Sequence, residues 1–331
     1  MVQAVKGNRP LRVGVVGAGV MGANHARVLS GLPQVQLVGV ADPDVQHRDF
    51  VTGILGCDGV PDLESLLQLG VDAVTIAAPT HLHRDLAVAC ASRGVHMMVE
   101  KPIGSTVEEG REIVTAARRA GVTLMVGHVE RFNPAVIAIK EAIRGEDILS
   151  IGITRVGPFP PRMSNVGVVI DLAVHDIDLI RWFTDSEIVE VQPQVSSAVA
   201  EREDIALLQF RTASGVLAHI NTNWLTPFKA RNVTVATRGK YVQGDLLTRQ
   251  VTECFGFQPD GAYSMRHVSV GHDEPLRAEL TAFLKAVREG SPATVTGEEG
   301  VASLEIAIRC LESRPTAVPV AHRQEPRRAA G

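Results

Sequence analysis

The run Gly17-Ala18-Gly19-Val20-Met21-Gly22 constrains this 331-residue chain more than any other feature. It follows an apolar run, Leu11 to Val16, and opens a segment of helical character, Met21 to Leu29. A strand, a tight glycine turn and a helix in that order begin a doubly wound parallel sheet. Gly17 permits the turn, Gly19 lets the backbone approach a pyrophosphate, and Gly22 lets the helix lie close to the strand. The helix start, at Val20 and Met21, then offers unpaired N–H groups and partial positive charge to phosphate oxygens. Asp42 closes the next apolar run, Val35 to Ala41, twenty residues beyond Gly22. An acid there accepts hydrogen bonds from ribose hydroxyls and repels a 2′-phosphate, so NAD is the expected cofactor rather than NADP. The plainer role for Asp42, just before Pro43, is to cap a turn, and nearby His47 and Arg48 would soften the preference for NAD.

The alternation continues through the first part of the chain. Asp72 to Ala77, Val95 to Val99 and Val122 to Val126 read as further strands. Leu63 to Leu69, Leu82 to Arg93 and Val107 to Ala120 read as helices, the last two ended by Gly94 and Gly121. Non-alternating apolar strands separated by helices predict a parallel sheet covered on both faces. Residues 1–127 are therefore expected to form a Rossmann dinucleotide-binding domain. Residues 128–331 are expected to form an α+β substrate-binding and oligomerisation domain, with its C-terminal end packing back on the first. In that part a helix fits Asp171 to Phe183. Strand-like runs follow at Val189 to Ala200, Ile205 to Arg211, Val216 to Asn223, Asn232 to Thr237 and Tyr241 to Asp245. Strands in succession predict a large, mainly antiparallel open sheet. Helices are expected at Leu276 to Glu289 and Glu298 to Glu312.

Composition excludes some functions. A net charge of −4 gives no global attraction to nucleic acid. The basic residues Arg323, Arg327 and Arg328 read as a solvated end. The four cysteines are scattered without a C-x-x-C pair, which points to reduced thiols in a cytoplasmic protein rather than a zinc site. No metal is expected. The N-terminus lacks the apolar run of a signal peptide, and Val13 to Val20 is too short to span a membrane.

Two motifs carry chemistry. Glu100-Lys101-Pro102 ends the Val95 to Val99 strand, at the edge where ligands bind in doubly wound sheets. A lysine there reaches a substrate hydroxyl and the nicotinamide ribose. In the Asp171 to Phe183 helix, Asp171, His175 and Asp178 fall on one stripe, while Leu172, Val174, Ile177, Leu179 and Ile180 fill most other directions. A helix apolar nearly all round is buried. A buried stripe of Asp, His and Asp needs partners or a ligand, and an imidazole one turn from a carboxylate is an acid–base candidate.

Together the glycine fingerprint, Glu100-Lys101-Pro102 and Asp171-x-x-x-His175-x-x-Asp178 resemble the Gfo/Idh/MocA oxidoreductases over nearly the whole chain. The resemblance implies that Lys101, Asp171 and His175 are catalytic. It also implies that the stretch with Ala78, Pro79, Thr80 and His83, and Glu100 and Lys101 beyond it, lie at the cofactor. Arg131-Phe132-Asn133-Pro134 would border the active site. Gly127 to Pro134, Arg155 to Arg162, Asp171 to Trp182 and Asn223 to Pro227 look like the UDP-N-acetylglucosamine 3-dehydrogenase branch. That finer likeness implies oxidation at C3 of a nucleotide sugar. The open C-terminal sheet would be buried in a homodimer or homotetramer, as it often is in relatives. Substrate contacts are expected at Lys101, Arg131, Asn133, Arg155, Arg162, Asp171, His175 and Trp224; Trp224 would stack on a sugar or base, or else belong to the core of its strand. His175 would be the general base, Lys101 would stabilise the alkoxide, and Asp171 would orient the imidazole or bind substrate. Arg155, Arg162, Lys229 and Arg231 are the candidates for a diphosphate. An inositol or free-sugar dehydrogenase, an NADH-dependent ketosugar reductase and a non-catalytic NAD sensor are the alternatives.

Overall fold

The computed structural model describes residues 4, 5, 7, 9–159 and 166–313. Arg162 and the basic C-terminal residues lie outside the described residues.

Six strands build the first sheet: β1 (Leu11–Val16), β2 (Val35–Ala41), β3 (Asp58–Val60), β4 (Ala73–Ile76), β5 (His96–Glu100) and β6 (Leu124–Gly127). Their order is β3-β2-β1-β4-β5-β6, and every pairing is parallel. The helices between them are α1 (Val20–Ser30), α2 (Val45–Leu55), α3 (Leu63–Gln68), α4 (His83–Ser92) and α5 (Val107–Ala120). The end signals act locally. Thr106 accepts the Glu109 N–H at the start of α5, and Gly121 stops that helix in the left-handed conformation. Non-alternating apolar strands are buried throughout, as at Val13, Val15, Val74, Ile76, Met97 and Val99.

After α6 (Pro134–Ala142) the chain builds an eight-stranded mixed sheet. Its strands are β7 (Ile148–Pro158), β8 (Ile188–Ser196), β9 (Ile205–Thr212), β10 (Leu217–Asn223), β11 (Leu225–Thr237), β12 (Lys240–Asp245), β13 (Gln250–Phe255) and β14 (Ser264–Val268), with α7 (Val174–Thr184) between β7 and β8. The order is β14-β13-β12-β11-β7-β10-β9-β8, and only the β7–β10 pair is parallel. β9 alternates strictly: Ala206, Leu208 and Phe210 enter the core while Leu207 is exposed. The closing helices α8 (Pro275–Glu289) and α9 (Gly297–Glu312) return to the first sheet, where Leu280, Phe283, Val287 and Leu304 join its core.

The sequence reading missed α2, β3, α6, β7, β13 and β14. β7 was obscured by Gly152, Gly157 and Pro158, which look like breakers. Gly152 is instead a close approach: a Cβ there would lie 2.7 Å from the His219 ring and from Thr234 Oγ1 on the flanking strands. The expected Asp171 to Phe183 helix also differs at its start. Residues Val169–Ala173 form a π-turn before α7 begins.

Candidate active site

β1, β4, β5 and β6 all end at one edge of the first sheet, and the loops that follow them build the site. After β1, Gly17 has φ +99°, and a Cβ there would lie 2.6 Å from the Ala77 carbonyl oxygen. A Cβ on Gly22 would lie 1.8 Å from the Gly17 carbonyl oxygen. By contrast, no atom lies within 4 Å of a Cβ built on Gly19. Gly19 caps α1 and has no side chain to accept from the first N–H groups of the helix. Val20 and Met21 are exposed beside it. The loop holding Ala78, Pro79 and Thr80 lies next to this turn. These features fit a dinucleotide pyrophosphate. Gly22→Ala is therefore expected to lose stability by about 1–3 kcal/mol or more through overpacking. Gly19→Ala is expected to fold normally and lose NAD affinity. Denaturant unfolding beside NAD titration separates the two effects.

Asp42 closes β2. Its Oδ2 accepts the Ala18 N–H at 2.6 Å and its Oδ1 accepts the Asp44 N–H at 2.8 Å. The carboxylate thus braces the glycine turn it was expected to accompany.

Lys101 follows β5, and its Nζ donates to Asp171 twice, to the backbone oxygen at 2.8 Å and to Oδ1 at 3.1 Å. Asp171 lies in the π-turn, and His175, the second residue of α7, follows one turn on. The His175 ring packs edge-on against His128, with centroids 5.9 Å apart. Its Nδ1 is enclosed without a partner. Burial holds this imidazole well below its ordinary pKa, and the charges of Lys101, Arg155, His128 and Arg231 push the same way. His175 is therefore neutral at physiological pH.

Several expected contacts turn inward instead. Arg155 is buried in β7, where its Nε and Nη2 bind Asp176 at 2.7–3.0 Å and its Nη1 binds Glu130 at 2.8 Å. Arg131 is buried against Asp178 at 2.7 Å and Glu299 at 2.6 Å. A buried guanidinium needs carboxylates, and these carboxylates occupy the forks that a substrate diphosphate would use. Asp178 consequently leaves the expected stripe with His175 for the Arg131 pair. Asn133 caps α6 through the Ala135 N–H and gives its amide N–H groups to Glu130 and the Leu246 carbonyl oxygen. Trp224, 4% exposed, is a core residue of the second sheet against Phe159, not a stacking platform. His83 is buried, with Nε2 at 2.9 Å from the Ala78 oxygen and Nδ1 at 3.0 Å from the Pro102 oxygen. It ties the two loops together rather than facing a ligand. Glu100 also points inward, with Oε1 at 3.0 Å from His25 Nε2 and Oε2 accepting the Lys101 N–H at 3.2 Å.

The sequence reading missed Asp176. The available signal was the demand that a buried Arg in a strand find acids, and Asp176 sits beside His175 in the same motif. Arg231 is half-buried, with Nη1 at 3.1 Å from Glu130. Among the described residues, no group of three His, Cys, Asp or Glu side chains is placed to hold a metal ion. No helix among them is long and apolar enough to cross a membrane.

A bare helix N-terminus on a parallel sheet, with a lysine and a neutral imidazole gathered at the same edge, places the molecule among nucleotide-dependent oxidoreductases. Residues 11–128 match the profile of the oxidoreductase family with an NAD-binding Rossmann fold, and residues 157–242 match the GFO/IDH/MocA C-terminal domain. The chain belongs to the Gfo/Idh/MocA family of NAD-binding dehydrogenases. It is 29% identical over 303 residues to the UDP-N-acetylglucosamine 3-dehydrogenase of Acidithiobacillus ferrooxidans, covering 90% of this chain and 96% of that one. It is 31% identical over 326 residues to the inositol 2-dehydrogenase of Rubrobacter xylanophilus, covering 93% and 92%. A solved structure of the Acidithiobacillus ferrooxidans enzyme superposes with a TM-score of 0.86 at 28% identity, over 92% of this chain and 97% of that one.

Proposed function

We propose that this chain oxidises a secondary hydroxyl of a sugar, at C3 of a UDP-N-acetylglucosamine-type nucleotide sugar, with NAD as hydride acceptor. The observation that carries the reading is the Lys101–Asp171 pair beside the neutral His175, at the edge that bears the glycine turn. Gly17, Gly19, Val20, Met21, Gly22, Asp42, Ala78, Pro79 and Thr80 would hold the dinucleotide. NAD, when bound, supplies the nicotinamide carbon that accepts the hydride.

The protein groups supply the rest. With Nδ1 enclosed, Nε2 of His175 is the nitrogen that takes the hydroxyl proton. Lys101 has three N–H donors, and Asp171 takes two of them. The third is free for the substrate oxygen, where its charge stabilises the developing alkoxide. Asp171 thus holds the lysine. With Arg155 internal, the diphosphate falls to Arg231 and the exposed Lys229, both on β11.

The internal position of Arg155 also favours a second reading, a free polyol such as an inositol, which needs no phosphate partner. Near-stoichiometric protein mixed with NAD and either UDP-N-acetylglucosamine or myo-inositol tests both readings through NADH absorbance. Signal with the nucleotide sugar alone, weakened in Arg231→Met by a raised KM, supports the first reading. Signal with myo-inositol alone replaces it with the second.

Two further features fit the same reading. The outer face of the second sheet exposes Leu207, Leu217 and Tyr241, which would be covered by a second copy of the chain. The four cysteines are unpaired, as in the reducing cytoplasm.

A further inference from the structure

Glu279 lies on α8 and is fully buried, and neither of its carboxyl oxygens has a hydrogen-bond partner. Its surroundings are the first core: Leu276, Leu280 and Phe283 on its own helix, and α1 alongside. The charged groups on the neighbouring elements are committed elsewhere. On α1, Arg27 pairs with Glu274 at the surface. In the turn Val129–Phe132, Glu130 holds Arg155, and Arg131 holds Asp178 and Glu299. Lys101 holds Asp171. The group that acts on Glu279 is another acid, Glu100.

Glu100 itself has partners. His25 Nε2 meets one oxygen, the Lys101 N–H meets the other, and His25 Nδ1 remains buried without a partner. Of two neighbouring buried carboxyls, the one with donors ionises and the one without keeps its proton. An isolated carboxylate in an apolar helix interface neutralises rather than remaining charged.

We propose that Glu279 is held as an un-ionised carboxylic acid where α8 packs on α1, the glycine-turn helix whose His25 meets Glu100 ahead of the Lys101 turn. Glu279 is a positioning residue. Ionising it sets a second negative charge beside Glu100, whose carboxylate fixes α1 through His25 and Lys101 through its backbone. Burial, then the charge of Glu100, raises the folded-state pKa of Glu279 well above the ordinary glutamate value. Its contribution to stability is therefore complete below the unfolded-state value of about 4.3 and is lost as the pH rises toward the folded one.

Glu279→Gln tests this, because it keeps the shape and fixes the neutral state. Urea unfolding of both proteins between about pH 6 and about pH 9 should show the variant gaining on the wild type. The gain expected is about tenfold in the folding equilibrium per pH unit, for one proton, until the folded-state value is passed. NAD titration should show the same level affinity in both proteins below the folded-state value, and affinity falling with pH only in the wild type above it. An infrared difference spectrum, wild type minus variant near neutral pH, should contain a carboxylic-acid carbonyl band. Glu279→Leu guards against a folding failure peculiar to glutamine, since an un-ionised, unpartnered carboxyl is replaceable by an apolar group of similar size. A carboxylate band in the difference spectrum, parallel stability profiles, or failure of both variants to fold at the lower pH would each overturn the proposal.

Discussion

His175→Ala is expected to lower turnover by about two to four orders of magnitude while NAD affinity stays at the wild-type level. The imidazole sits one helical turn from Asp171 and outside the glycine turn, so its loss removes the proton acceptor and leaves the dinucleotide cradle intact. The pH profile carries a second expectation. His175 is held below the ordinary histidine value by burial and by surrounding cations, so it stays neutral and basic as the pH falls through about 6.5. In the oxidative direction, kcat/KM should stay level through that value and fall only at more acidic pH. The assay is NADH formation on whichever sugar or polyol supports it. A variant that keeps wild-type turnover, or an acid limb at the ordinary histidine value that survives His175→Ala, would place the base on another residue.

Arg155→Met is expected to destabilise the fold by about 3–5 kcal/mol, because it strands Asp176 as a buried charge and leaves Glu130 only Arg231 of its two guanidinium partners. Denaturant unfolding measures the loss. The double variant Arg155→Met with Asp176→Leu should recover part of it, since removing both members of a buried pair leaves less uncompensated charge. This pairing separates the structural role from the substrate role expected of Arg155 in the sequence. If Arg155→Met were as stable as the wild type and lost only affinity for a nucleotide sugar, the guanidinium would be a diphosphate ligand after all.

The sequence reveals the first sheet because each of its main strands is an apolar run closed by a glycine, a proline or a polar residue. The second sheet is less legible. In β7, glycine serves close packing against His219 rather than a turn, and β13 and β14 carry polar residues at positions where a core strand would not. In the candidate site, Lys101, Asp171 and His175 were visible because their spacing is local to a loop and a helix. The fates of Arg131, Arg155 and Asn133 were not. Whether a cation faces solvent, a ligand or an acid depends on which carboxylates the fold carries to it, and Glu130, Asp176, Asp178 and Glu299 arrive from three separate segments. Trp224 could be read either way for a related reason, since an aromatic side chain suits a sugar face and a sheet core equally well.

The double grip on Lys101 bears on how the site would look in a mutational survey. One of the two oxygens holding its ammonium group is the Asp171 carbonyl, which every amino acid possesses. Alanine at 171 therefore removes one tether and spares the other, and a scan of side-chain replacements would rank Asp171 below the lysine it anchors. The spared tether is written in the chain's path through the π-turn Val169–Ala173 rather than in its alphabet. Deleting one residue there, a change that substitution libraries never contain, is what would release the lysine.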